Sequence, residues 1–139
     1  MPSLDRLKLK NAECISLGDN RWHLKVTISI YDELHVGEAI SHSEENNFEA
    51  MAIAALNAVT HLLPPSITLT LADAGQTYSH KTELGIFLVV IQLQENNRSK
   101  YISGSSLIFL PIMHTPVKAV FSAINRTLTK FLPEKTKFY

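Results

Sequence analysis

Trp22, Leu24, Val26, Ile28 and Ile30 alternate with His23, Lys25, Thr27 and Ser29. A period of two is that of a strand with one face on a core. Leu4, Leu7 and Leu9, set among charged neighbours, predict an earlier strand near 4–17, and Asp19-Asn20 the turn between the two. Asp32-Glu33 predicts a hairpin leading into a third strand over 34–40, where Gly37 marks a bulge or a close backbone approach. The period then changes. Phe48, Met51, Ala52, Ala55, Leu56, Val59, Leu62 and Leu63 fall at helical spacing and predict a helix over 47–63 with one apolar stripe. Asn46, followed three residues later by Glu49, predicts a capping box, and Pro64-Pro65 removes two donors and stops the helix.

The same order then runs again. Ile67, Leu69 and Leu71 alternate with threonines before Asp73-Ala74-Gly75, which predicts a turn. An apolar run over 86–93, a loop at Glu95-Asn96-Asn97-Arg98 and a strand over 101–110 follow. Thr115 predicts an N-cap with Pro116 at the first helical position, and Val117, Val120, Phe121, Ile124, Leu128, Phe131 and Leu132 form the second stripe, ended by Pro133. The two helix endings correspond, Ala55-Leu56-Asn57-Ala58 in one and Ala123-Ile124-Asn125-Arg126 in the other. An internal repeat means that each half is a structural unit. The predicted fold is α+β: duplicated β-β-β-α units with pseudo-twofold symmetry, their helices packed on antiparallel sheet surfaces. A unit of about 65 residues buries too little surface to stand well alone, so the two complete one core. The expectation is a single domain over 1–139, with lobes at about 4–64 and 66–133 and a tail at 134–139.

Composition narrows the function classes. The chain is 45% hydrophobic and 19% charged, a folded domain with few charges on its surface. Thirteen Lys and Arg balance thirteen Asp and Glu, so no general attraction to nucleic acid or to an anionic membrane is expected. Cys14 is the only cysteine, which suits a reducing cytoplasm and rules out an intrachain disulfide. The first twelve residues contain no uninterrupted apolar stretch of the signal-peptide kind, and no apolar run is long enough to span a membrane as a helix. The expected location is the cytoplasm.

Gly37 with the helix bearing Ala50, Ala54, Ala55 and Asn57, and the segment Ala119-Val120-Phe121-Ser122-Ala123-Ile124-Asn125-Arg126, resemble the C-terminal regulatory, or dimerisation, domain of 2-isopropylmalate synthase. The resemblance covers most of 4–133. It implies two β-β-β-α subdomains, dimerisation and a part in feedback binding of leucine. The chain is too short to include that enzyme's catalytic barrel, so the resemblance implies a free-standing relative of the regulatory domain.

The segments before the two helices are the places to look for a ligand: Ser41, His42, Ser43 and Asn46 before one, His114 and Thr115 before the other. Helix N-termini expose backbone donors that can hold an anion, and histidine can add a switchable charge. The expected ligand is a small carboxylated metabolite; the same residues also fit plain capping roles. No catalytic residue, metal ligand or cofactor is assigned. The six histidines are scattered, lone Cys14 offers no zinc framework, and Glu44-Glu45 reads as a solvated pair. The run Gly85–Ile91 is apolar at almost every position, which fits a strand with one face on a helix and the other at an interface, or a central strand in a sandwich closed within the chain. The leading expectation is a noncatalytic homodimeric small-metabolite-binding or regulatory module. The alternatives are a structural interaction scaffold without a ligand, or an enzyme drawing residues from both lobes.

Overall fold

A computed structural model describes residues 7–128. The chain forms two three-stranded antiparallel sheets, each followed by a helix. The first unit contains β1 (Lys8–Gly18), β2 (Arg21–Ile30), β3 (Glu33–Ser41) and α1 (Asn47–Thr60). The second contains β4 (Ile67–Tyr78), β5 (Gly85–Glu95), β6 (Arg98–Leu107) and α2 (His114–Leu128). The middle strand of each sheet is its second in sequence. The duplicated β-β-β-α reading holds.

The repetition extends to individual residues. Val26 stands between Ala12 and Gly37, and Val89 stands between Ala74 and Gly104. A bulge interrupts β1 between Leu9 and Asn11, and its counterpart interrupts β4 between Leu71 and Asp73. Each glycine lies directly beneath its helix. A Cβ on Gly37 would fall on the Ala54 carbonyl oxygen and the Ala58 nitrogen; one on Gly104 would fall on the same atoms of Ala119 and Ala123. Helix and outer strand are therefore packed backbone to backbone, which a strand residue without a Cβ permits. Side chains one residue further along secure both contacts. The Asn57 side chain donates to the Glu38 carbonyl at 2.8 Å, and the Ser105 N–H donates to the Ser122 hydroxyl at 3.4 Å.

This close approach explains why α1 is buried on more than the predicted stripe. Met51, Ala52, Ala55, Leu56 and Val59 are buried as the spacing predicts, but so are Asn47, Ala50, Ala54 and Ala58. One face lies on β2 and β3 while others meet α2 and β4. The core is a single cluster drawing on both units, with Val26 and Ile28 from one sheet, Val89 and Ile91 from the other, and Val59 and Ile124 from the helices. Phe48, in the first turn of α1, meets Phe87 of β5 edge to face with centroids 5.2 Å apart.

Several local expectations change. The first sheet's second hairpin turns at Tyr31-Asp32, one residue earlier than predicted, with both residues at positive φ as a two-residue hairpin requires. Asp73-Ala74-Gly75 is not a turn: these residues pair with Val90, Val89 and Leu88 beside the β4 bulge. The Asp73 carboxylate accepts the Ala74 N–H at 2.9 Å, so its turn-forming chemistry serves the bulge. The chain reverses instead at 79–84, where the Ser79 N–H donates to the Leu84 carbonyl. Asn46 occupies the N-cap of α1 but makes no side-chain capping bond, because a 3-10 turn, Glu44–Asn46, precedes the helix. α1 closes in three tightened turns, from His61 to Ala58, Leu62 to Val59 and Leu63 to Thr60, before the prolines. The predicted stripe residues Phe131 and Leu132 and the tail at 134–139 lie outside the described residues.

Candidate functional site

The six residues singled out from sequence flank the two helix starts, and most are occupied locally. Ser41 is buried, and its hydroxyl donates to the Ser43 carbonyl at 2.6 Å while accepting the Ser43 N–H at 3.3 Å. His42 and Asn46 are exposed, and Ser43 and His114 half-buried. Thr115 is not the N-cap: α2 begins at His114. Thr115 is wholly buried, and its hydroxyl accepts the Phe109 N–H at 3.2 Å and lies 3.4 Å from the Phe109 carbonyl, tying the end of the second sheet to the helix.

Backbone donors at both helix starts are also engaged. The N–H groups of Asn46 and Asn47 donate to Ser43 and Glu44, and those of His114 and Thr115 to Pro111 and Ile112. Fewer amides are left to face a ligand than two bare helix ends would offer.

Beside these starts lies an open cavity of about 490 Å³ formed by both units. Cys14, Trp22, Glu44, Glu45, Asn47 and Phe48 line it from the first unit; Gln76, Ile108, Ile112 and Met113 line it from the second. It sits on the pseudo-dyad. Cys14 and Gln76 occupy equivalent strand positions, opposite Leu24 and Phe87. Aligning the helices on the alanines over the two glycines matches Phe48 with Met113 and Asn47 with Ile112. The duplication is thus broken chemically: the first unit supplies a polar wall and the second a mostly apolar one.

Two buried polar atoms in the polar wall lack a hydrogen-bond partner, Trp22 Nε1 and Asn47 Oδ1. Asn47 is only 4% exposed, and its Nδ2 reaches the Cys14 sulfur at 3.5 Å. A buried polar atom without a partner costs about 1–3 kcal/mol. Glu44 and Glu45 stand exposed at the rim. Burial pushes the Cys14 thiol up from its ordinary value and the Glu44 carboxylate adds to the shift, so the negative field of the rim reaches the wall. Cys14 is a neutral thiol at pH 7, not an activated nucleophile. Among the described residues, no three His, Cys, Asp or Glu side chains are grouped to hold a metal ion.

Asn47, Phe48 and Trp22 are ordinary helix and strand positions in the sequence, and the cavity they line is formed only in the fold. Their one sequence-level signal as a site is that Asn47, an amide, stands on an otherwise apolar helix face.

Compared with known proteins, the chain matches no family model and no curated sequence. No helix among the described residues is long and apolar enough to cross a membrane.

Proposed function

We propose that the chain is a cytoplasmic, noncatalytic, homodimeric module that binds a small metabolite and has a regulatory role, resembling the regulatory domain of 2-isopropylmalate synthase in its duplicated plan. One observation carries this reading: a cavity on the pseudo-dyad lined by both units, with Trp22, Glu44, Glu45 and Asn47 on one side and Ile108, Ile112 and Met113 on the other. Its volume is of the order that small-ligand sites have. A ligand seated there would touch both units at once, so its binding energy would favour one lobe arrangement over others. The neutral thiol of Cys14 supports a binding role over nucleophilic catalysis.

The outer face of the second sheet supports self-association. Leu88, Tyr101 and Leu107 remain 43%, 65% and 51% exposed, and Asp73 alone brings a formal charge to that face. An almost uncharged face selects for neither sign of charge and suits a symmetric contact with its own copy.

The test is a ligand-shift screen of small acids, amino acids including leucine, and amines. It would follow the melting temperature and the indole N–H resonance of Trp22, the chain's single tryptophan. Saturable binding that moves the Trp22 signal supports the reading. If no class of compound shifts either signal, metabolite binding is overturned and the interaction scaffold takes its place.

A further inference from the structure

Thirteen basic and thirteen acidic residues balance over the chain but are not mixed along it. Between Lys25 and Lys81 there is no Lys or Arg, and between Glu95 and Glu134 there is no Asp or Glu. The fold gives each stretch its own edge. Asp32, Glu33, Glu38, Glu44, Glu45 and Glu49 are all exposed on the β2–β3 turn, on β3 and at the helical start that follows. Arg98, Lys100 and Lys118 are exposed on β6 and α2. Glu33 and Lys100 hold equivalent places, opposite Ile30 and Leu93, with opposite signs. One counter-charge stands a strand inward on each side, Lys25 beside Glu38 and Glu95 beside Arg98.

The same two strands are the open edges of the fold. β3 and β6 are outermost in their sheets and their registers run without a bulge, whereas β1 and β4, the other two edges, are both bulged. A bulge is one way an edge is kept from pairing. β1 and β4 also turn toward the opposite unit, β1 to α2 and β4 to α1, so β3 and β6 face away from each other. Asn57 reaching the Glu38 carbonyl, and the Ser105 N–H reaching Ser122, show which backbone groups point outward. By alternation they are those of Leu34, Val36, Glu38 and Ile40 on one edge, and of Tyr101, Ser103, Ser105 and Leu107 on the other.

We propose that β3 of one copy pairs antiparallel with β6 of a second copy, a head-to-tail contact that runs the first sheet of one molecule into the second sheet of the next. With Gly37 opposite Gly104 of the second copy, Leu34 meets Leu107 and Ile40 meets Tyr101, apolar pairs on one face. Arg98 and Lys100 then reach the end of β3 that leads to Glu44 and Glu45. Charge selects this occupant, because pairing β3 with β3 or β6 with β6 would bring like charges together. Since the two edges face away from each other, the contact propagates, and it closes as a ring or grows as an open chain. It is independent of ligand binding in the cavity and of the outer face of the second sheet.

The test follows the full chain carrying Leu88→Lys, which takes away the outer-face contact, by sedimentation velocity. At about 10 mM salt, where charges act over about 30 Å, species larger than the monomer are expected; at about 1 M, where that range falls to about 3 Å, they should disappear. Glu44→Lys/Glu45→Lys reverses the acidic side of the contact and Arg98→Glu/Lys100→Glu the basic side, all at exposed positions. Each reversed chain is first required to melt cooperatively. Alone, each is expected to associate about tenfold or more weakly than its parent, and an equimolar mixture of the two to regain association.

A Leu88→Lys chain without salt-dependent association overturns the proposal. So does a reversed chain that associates as well as its parent. A mixture no better than either chain alone overturns it too, and leaves each edge to a foreign partner of opposite charge. The metabolite reading stands or falls on the Trp22 signal, and the outer-face dimer on the Leu88 comparison at high salt, so neither is decided by these outcomes.

Discussion

Gly37 and Gly104 show how one missing atom positions a helix. Gly37→Ala places a methyl against the backbone of Ala54 and Ala58, which cannot rotate aside as a side chain could. The expected loss is about 3 kcal/mol or more, at the upper end of overpacking costs, read as a lower urea midpoint with unchanged slope. Gly75→Ala is the control: no atom lies within 4 Å of its added methyl, and it should fall within about 0.5 kcal/mol of the parent. Cys14 is the second informative residue. Its folded thiol titrates above its ordinary value, so the unfolded chain loses that proton first as pH rises. Stability linked to Cys14 is therefore complete below the unfolded value of about 8.5 and declines as pH climbs from there through the raised folded value. Denaturant melts at pH 7 and pH 10 should show a smaller alkaline loss in Cys14→Ala than in the parent. Equal losses would mean that the thiol contributes nothing.

At the scale of elements, the strand and helix periods were legible because each reports a face turned to a core. Trp22 to Ile30 alternates cleanly, and β2 is the middle strand with that face inward. Turn chemistry was less legible. Asp73 and Gly75 carry turn residues, yet a bulge uses the aspartate and the strand runs on to Tyr78. Capping failed for a related reason, since Asn46 and Thr115 have the right side chains but tightened turns precede both helices. The cavity was not legible, because its walls come from strand and helix positions far apart in sequence and its polarity depends on which of two equivalent residues faces which. Ser41 and Thr115 lay close to it, but their hydroxyls serve the backbone. Phe48 and Phe87 join elements of different units, so a double-mutant cycle on Phe48→Leu and Phe87→Leu should return a coupling of about 0.5–1.5 kcal/mol. A coupling near zero would mean that the ring geometry adds nothing beyond buried area.

At the scale of the molecule, both outer sheet faces expose large apolar side chains, with Ile15, Leu34, Val36 and Ile40 on the first. They differ in charge, and the proposed self-association is placed on the less charged one. Across the first sheet, Glu13, Lys25 and Glu38 stand side by side on the outer face, and Glu38 also lies 3.4 Å from His23. The second sheet has Leu88, Val90, Tyr101 and Leu107 on its outer face, with Asp73 as its formal charge. Three strands about 4.8 Å apart, each of about ten residues rising 3.4 Å, present roughly 500 Å² of face. Two such faces in contact bury about 1,000 Å², the lower end for a specific interface, so the dimer is expected to dissociate on dilution. A weak contact of this kind is sensitive to one charge at its centre. Leu88→Lys puts an ammonium on the middle strand, opposite Gly75 and Ser105, where a monomer hydrates it and a symmetric dimer brings two together. Sedimentation velocity over a concentration series should show the parent passing from monomer to dimer and Leu88→Lys remaining monomeric. Its melting temperature at the lowest concentration should match the parent's. A parent that stays monomeric at every concentration removes the dimer, and a Leu88→Lys variant that still dimerises moves the interface off this sheet.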